Sequence, residues 1–210
     1  MKELKEISHR FNKINKNYID AVPPGGIKVK QEDYFSMKNI YSLVREWAMD
    51  EGWTTRDESI FPEEFFFHRE YSQGTELWIR WRFEKPAAPH VTYYKFMLDV
   101  DWHVLRLNPA EVSKNGKKYK ADKADCEVLI RGKVISDAED TWKNHPILKH
   151  FETVFWKKIH KGIYGAHKRE LYLQVNRLAE AVKNYMQIST YLPEEEGQQF
   201  WPKAKEFPPT

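Results

Sequence analysis

The stretch that decides the fold is Tyr93–Leu107, which reads Y-Y-K-F-M-L-D-V-D-W-H-V-L-R-L. Apolar side chains fall on every second position: Phe96, Leu98, Val100, Trp102 and Val104. The positions between them are mostly charged, namely Lys95, Asp99, Asp101 and His103, with Met97 as the apolar exception. Because successive side chains of a strand point to opposite faces of a sheet, this pattern predicts a strand with one buried face and one solvated face.

Other segments on both sides of this strand also show strand patterns. Residues 76–84 (E-L-W-I-R-W-R-F-E) precede it, and residues 127–135 follow it. Residues 60–71, which contain three consecutive phenylalanines, predict a further strand or the approach to one. Asn115-Gly116 lies between two extended segments, and such a pair is typical of a β-hairpin turn because both residues tolerate a positive φ. The centre of the chain therefore predicts consecutive antiparallel strands.

Helical spacing of apolar residues is found before these strands. Steps of three and four predict an amphipathic helix over residues 2–18, and a second helix over residues 35–51. Pro23-Pro24-Gly25-Gly26 separates the two and is a strong helix breaker. We therefore expect the first helix to be an arm joined to the body by a linker.

The chain returns to helical spacing after the strands. One predicted helix follows Pro146 and places apolar residues toward the core: Ile147, Leu148, Phe151, Val154, Phe155 and Ile159. A last helix is predicted over residues 168–187, and glycines at 162 and 165 are expected to interrupt the chain between the two. The end of the chain thus predicts a helix pair.

The order of helices, strands and helices predicts an α+β fold. We expect an antiparallel sheet of about four to five strands packed on one face by helices, with an N-terminal helical arm and a C-terminal helix pair. The predicted segments are an N-terminal helix and Pro/Gly linker (1–26), a single α+β domain (27–192) and an acidic, aromatic and Pro-rich tail (193–210).

Composition and charge exclude several classes of protein. The 210 residues are 41% hydrophobic, which is enough for one domain with a core. Lys+Arg number 34 against 31 Asp+Glu, so net charge alone does not indicate a nucleic-acid partner. The single cysteine, Cys126, excludes an intramolecular disulfide and a Cys-based zinc site within one chain. With no apolar run near the roughly 20 residues that cross a bilayer, we expect a cytoplasmic protein that does not contact membranes.

Five short runs follow one another between residues 35 and 185 in a characteristic order. They are W-A-M-D-E-G-W (47–53), E-L-W-I-R-W-R-F (76–83), N-G-K-K-Y-K (115–120), E-V-L-I-R-G-K-V (127–134) and D-T-W-K-N-H-P-I-L-K (140–149). In the order and spacing of these runs, the chain resembles a group of small, uncharacterised archaeal proteins. The resemblance covers most of one domain, and it implies no activity, cofactor or site residue.

Asp99, Asp101 and His103 form the most enzyme-like group, because they share one face of a strand at a spacing of two. Two carboxylates and an imidazole could bind a divalent metal or hold a water for acid–base chemistry. The alternative is an ordinary charged face, in which Arg80 and Arg82 of the preceding strand pair with the aspartates. We favour this second interpretation. The sequence contains no phosphate-binding loop, serine-nucleophile or metalloprotease motif, so we expect no catalytic residue, metal or cofactor.

The same face also suggests a nucleic-acid interface. Planar and cationic side chains alternate on it: Trp78, Arg80, Arg82, Arg131 and Lys133. Aromatic rings can stack on bases while cations contact phosphates. Asp99 and Asp101 dilute the positive charge, so nucleic-acid binding is an alternative and not the leading hypothesis.

The leading hypothesis is a non-enzymatic structural or assembly protein, which uses terminal arms to contact other subunits or partners. Phe200, Trp201 and Phe207 lie in the tail and are the predicted partner-binding residues, because aromatic side chains on an arm can fill a groove. A homo-oligomer or a protein partner is expected. A third hypothesis is a small-molecule pocket between the sheet and the C-terminal helices, lined by Trp81, Trp102 and Phe155.

Overall fold

A computed structural model describes residues 18–57, 61–88, 91–114, 117–154 and 161–188. In these ranges it contains six strands: β1 (Tyr18–Asp20), β2 (Ile27–Phe35), β3 (Glu63–Tyr71), β4 (Gly74–Ala88), β5 (Val91–Lys114) and β6 (Lys117–Ser136). It also contains four helices: α1 (Met37–Asp50), α2 (Thr141–Asn144), α3 (Leu148–Val154) and α4 (Lys161–Ile188). The fold is therefore mixed α+β, as predicted, with six strands where four to five were expected.

The strands form one antiparallel sheet in the order β1-β6-β5-β4-β3, and β2 also pairs with β6. β1 lies against residues 133–135 of β6, whereas β2 lies against residues 122–130. The two short strands therefore follow one another along the same edge of β6. Within the described part of the chain, β3 is the opposite edge of the sheet.

The central strand follows the predicted alternation. Its five alternating apolar residues (Phe96, Leu98, Val100, Trp102 and Val104) are each at most 1% exposed. They belong to one hydrophobic core together with residues from α1 and α4. β5 continues past Asn108-Pro109, where the pairing with β6 shifts its register and Arg106 has a φ of 56°. The shift lies at Arg106 and Leu107, immediately before Asn108-Pro109, and Pro109 itself pairs with Asp122.

The helix predicted at residues 35–51 is confirmed as α1. It begins after Ser36, whose side chain accepts a hydrogen bond from the Asn39 amide at 3.3 Å. Its buried residues recur at helical spacing: Met37, Ile40, Leu43, Val44, Trp47 and Ala48. Gly52 follows with a φ of 71°, a left-handed conformation that favours glycine at the end of a helix. Local signals thus set both ends of this helix.

The N-terminal prediction differs from the structure in two ways. Residues 1–17 of the predicted arm lie outside the described residues, and Tyr18, its predicted last residue, begins β1. Pro23–Gly26, expected as a linker between arm and body, instead connects two strands on one edge of the sheet. β2 was not predicted, because I-K-V-K-Q-E-D-Y-F has few apolar residues and gives a weak alternation. An edge strand can be this polar, since its stability comes from its ladder with β6.

The C-terminal prediction was wrong in its division of the helices. Gly162 and Gly165 do not interrupt the chain; α4 runs through both, and the space around each is open. The residues predicted to bury the preceding helix are exposed instead: Ile147 is 63%, Phe151 57% and Val154 51% exposed. The reason is that α1 and α4 already cover the apolar face of the sheet. Phe155 and Ile159 lie outside the described residues.

α4 packs closely on β6 at a position without a side chain. A Cβ atom on Gly132 would lie 2.7 Å from Val175 Cγ2 and 3.3 Å from Leu171 Cγ. Leu171, Val175, Leu178 and Val182 form the buried stripe of the helix. Glycine therefore permits the close approach of helix and sheet. None of the helices in the described ranges is long and apolar enough to span a bilayer.

Replacing Gly132 should test this close packing. We expect Gly132→Ala to lower the free energy of unfolding by about 1–3 kcal/mol, because the added methyl group overpacks the contact with α4. Gly165→Ala is the matched control: it has open space around it and should stabilise the protein by about 0.5–1 kcal/mol. Urea unfolding of both variants measures the difference. Equal stability of the two variants would contradict a close contact at Gly132.

Candidate functional site

The face of the sheet opposite the helices is charged, and several of its charged side chains are buried. Asp99 has no exposed surface, Arg80 is 5% exposed, and Lys133 and Glu76 are each 7% exposed. The sequence predicted the charges correctly but did not predict that these four side chains are buried. We call this set of side chains on β4, β5 and β6 the charged face.

The register of the sheet places acids directly opposite bases. Arg80 lies across from Asp101, and Arg82 lies across from Asp99. Arg80 donates from Nε to Asp101 Oδ1 at 2.6 Å and from Nη2 to Asp101 Oδ2 at 2.9 Å. Arg82 makes the same two-pronged contact with Asp99, at 2.7 and 3.3 Å. Both arginines thus bind carboxylates in the paired geometry that a guanidinium group favours.

β6 adds two further cations to the same carboxylates. Arg131 donates to Asp101 and lies 4.0 Å from Asp99. The Nζ of Lys133 lies 3.9 Å from Asp99 Oδ2 and 4.8 Å from the centre of the Tyr18 ring. Burial lowers the pKa of Lys133, although the charge of Asp99 opposes this shift. Asp99 therefore lies near three cations, none of which is fully solvated.

Trp78 and His103 form the aromatic end of the charged face. Their rings stack with centroids 3.7 Å apart. Trp78 Nε1 donates to Glu76 Oε1 at 2.8 Å, and His103 Nε2 lies 3.1 Å from the same oxygen. Burial opposes ionisation of Glu76, but the hydrogen bonds from Trp78 and His103 hold its pKa below the ordinary value. The Glu76 carboxylate thus holds the rings of Trp78 and His103 in position.

The predicted metal candidates are on one face but do not converge on a common point. Asp99 and Asp101 bind arginines, and His103 contacts Glu76. No group of three or more His, Cys, Asp or Glu residues in the described ranges could hold a metal ion. In this arrangement the carboxylate charges are balanced by guanidinium groups.

The five residues of the nucleic-acid hypothesis also lie together on the charged face. Its four cations (Arg80, Arg82, Arg131 and Lys133) form ion pairs with three carboxylates (Glu64, Asp99 and Asp101). Binding to nucleic acid depends mainly on unneutralised cations that contact phosphates. The geometry therefore favours a structural role for these side chains.

The remaining predicted residues fall in different places. Phe200, Trp201 and Phe207 lie outside the described residues. Cys126 is buried, and burial raises the pKa of its thiol to about 12, which keeps the thiol protonated at neutral pH. Trp81 and Trp102 pack edge to face in the core, with ring centroids 5.7 Å apart.

Sequence reasoning missed the exposed edge of the sheet. β3 carries Phe66, which is 56% exposed, and Tyr71, which is 47% exposed. No strand covers the outer side of β3 in the part of the chain that the structure describes. The available signal was the order of charges around the three phenylalanines: Glu63 and Glu64 precede them, and His68 and Arg69 follow.

The comparisons with known proteins assign no activity. No family model matches the sequence, and no curated protein matches it. The resemblance to small archaeal proteins stays a prediction.

Loss of the Asp99 carboxylate charge should strongly destabilise the protein. We expect Asp99→Asn to lower the free energy of unfolding by about 3–5 kcal/mol, because it leaves buried cations without their partner. Glu111→Gln is the control: it removes the exposed ion pair with Lys118 and should cost about 0–1 kcal/mol. Urea unfolding compares the two variants. If Asp99→Asn unfolded at the same urea concentration as the wild type, the charge of this carboxylate would contribute nothing to stability.

Proposed function

We propose that this protein is a non-enzymatic, cytoplasmic assembly module that associates with a second copy of itself through β3. The observation that carries the proposal is the edge position of β3 together with the exposed side chain of Phe66. The charged face supports this class of function indirectly, because its ionisable groups bind one another and are not directed at a substrate.

An edge strand is able to extend a sheet. Alternate backbone N–H and C=O groups of such a strand point outward, where they can pair with another strand. Natural proteins usually protect such edges with charges, prolines or bulges. β3 has a bulge at its beginning, between Glu63 and Phe65, but its middle pairs regularly with β4. The section from Phe65 to Tyr71 is therefore the part that a second strand can join.

The order of side chains in β3 suits antiparallel pairing of two identical strands. A two-fold axis at Phe66 would place the two Phe66 side chains side by side, and would bring Phe65 of one copy next to Phe67 of the other. The acidic start of one strand would then lie beside the basic end of the other, with Glu63 opposite Arg69 and Glu64 opposite His68. Opposite charges across a ladder are favourable, and a symmetric contact of this kind closes as a dimer.

The terminal arms predicted from the sequence offer a different way to assemble. In that case, Phe200, Trp201 and Phe207 would bind a groove on another subunit. The two mechanisms can be separated experimentally, because β3 and the tail can be changed independently.

Native mass should identify the surface that self-associates. We expect the wild-type chain to be a dimer in analytical ultracentrifugation, and Phe66→Lys to raise the dimer dissociation constant by about tenfold or more. The change puts a charge at the centre of the proposed interface. Phe151→Lys is the matched control, because Phe151 is equally exposed but lies on α3 and not on β3, and it should leave the dimer intact.

Two results would contradict the proposal. One is a wild-type protein that stays monomeric at high concentration. The other is a dimer that survives Phe66→Lys but dissociates when residues 193–210 are removed, which would assign assembly to the tail.

A further inference from the structure

The end of the β5–β6 hairpin extends beyond the other strands of the sheet. β4 pairs with β5 no further along than Leu107, and β2 pairs with β6 no nearer to the hairpin turn than Asp122. Past these points, residues 110–114 pair with residues 117–121 and with no other strand in the described part of the chain. We call these two segments the ribbon. Its five residue pairs span about 15 Å at the usual rise of a strand.

The ribbon lies outside the hydrophobic core. The core residues of β6 begin at Ala124, and those of β5 extend no further than Leu107. Four polar side chains of the ribbon are exposed, namely Glu111, Ser113, Lys118 and Lys120. A hairpin without a core has little stability of its own in water. Burial within this chain therefore does not explain why the two strands continue past the sheet.

The ribbon is strongly basic. It contains four lysines (Lys114, Lys117, Lys118 and Lys120) and one acidic residue, Glu111, so its net charge of +3 equals that of the whole chain. The Nζ of Lys118 lies 3.4 Å from Glu111 Oε2, but both side chains are exposed, and such an ion pair is weak. The charged face pairs its cations with carboxylates, whereas the ribbon carries an excess of cations over carboxylates.

The register places two of these lysines against each other. Lys114 lies directly opposite Lys117 in the ladder. Like charges in directly opposite positions destabilise a pair of strands. A bound polyanion removes this repulsion, because it neutralises both cations. The arrangement therefore favours an anionic partner over a purely structural role.

Duplex DNA is the polyanion whose shape fits the ribbon. Two paired strands lie about 4.8 Å apart. The major groove of B-form DNA is about 12 Å wide and 8.5 Å deep, and it admits a two-stranded ribbon with its side chains. Phosphates line both rims of that groove, where lysines of the ribbon can contact them. The major groove of A-form RNA is too narrow for this contact.

We propose that the ribbon binds double-stranded DNA by entering the major groove. Lys118 and Lys120 contact phosphates, and such contacts position a protein on the duplex without reading its sequence. The proposal does not rest on dimerisation through β3, because the ribbon belongs to β5 and β6. It also differs from the nucleic-acid hypothesis for the charged face, which involves other residues.

Fluorescence anisotropy of a labelled DNA duplex of about 20 base pairs tests this proposal with the full chain. We expect the wild-type protein to bind at ~50 mM salt, and its affinity to fall by about 40–150-fold at ~200 mM salt, as for about three or four phosphate contacts. An RNA duplex of the same sequence should bind about tenfold or more weakly, because its major groove excludes the ribbon.

Replacing two lysines by glutamine tests the ribbon directly. We expect Lys118→Gln/Lys120→Gln to bind the DNA duplex about tenfold or more weakly at ~50 mM salt, and with a smaller salt dependence, because two phosphate contacts are lost. Lys28→Gln/Lys30→Gln is the matched control. It removes two exposed lysines of β2, which pair with Glu127, and changes the net charge by the same amount. This control should leave the affinity unchanged.

Three results would overturn the proposal. One is a wild-type protein that does not bind the DNA duplex at ~100 µM protein and ~50 mM salt, which would leave the lysines as protection of exposed strand edges. The second is an equal loss of affinity in both double variants, which would assign binding to overall charge. The third is an RNA duplex that binds as tightly as the DNA duplex, which would exclude entry into the major groove.

Discussion

Asp99 has no contact with solvent, and this carboxylate is stable there only because strands β4, β5 and β6 share one register. That register puts Arg82 directly across from it and brings Arg131 and Lys133 close on the other side. A slip of one residue would turn every side chain of β5 to the opposite face. The five apolar residues would lose their contact with the helical layer, and Asp99 and Asp101 would enter the core without partners. The core and the charged face thus depend on the same register.

The helical layer is the second constraint on the molecule. α1 and α4 together cover the apolar face, and Gly132 lets α4 approach closely. Their coverage does not include α3, whose apolar residues stay exposed, or the far side of β3, where Phe66 is exposed. Exposed apolar surface on a folded chain often marks a place of contact with another molecule. Because α1 and α4 leave these places uncovered, the apolar surfaces that could contact another molecule lie outside the helical layer.

The two sets of buried ionisable groups differ in how completely they are satisfied. On the charged face, carboxylates and cations are matched, and the arginines bind in two-pronged pairs. Around Lys85 of β4, the cation contacts the backbone oxygen of Glu51 and the indole ring of Trp53. A matched network suits a structural role.

The sequence by itself determined the elements with strong local signals. Alternation predicted strands within β4, β5 and β6, helical spacing predicted α1, and Asn115-Gly116 predicted a hairpin. Lys114 and Lys117, which flank this pair in the sequence, lie opposite each other in the sheet. Only the tertiary structure decided that polar residues 27–35 form a strand, because their stability comes from pairing with β6 almost 100 residues later. It also decided the burial of Asp99 and the environment of Lys85. Both depend on which distant side chains stand opposite them, and periodicity along one segment carries no information about its partners.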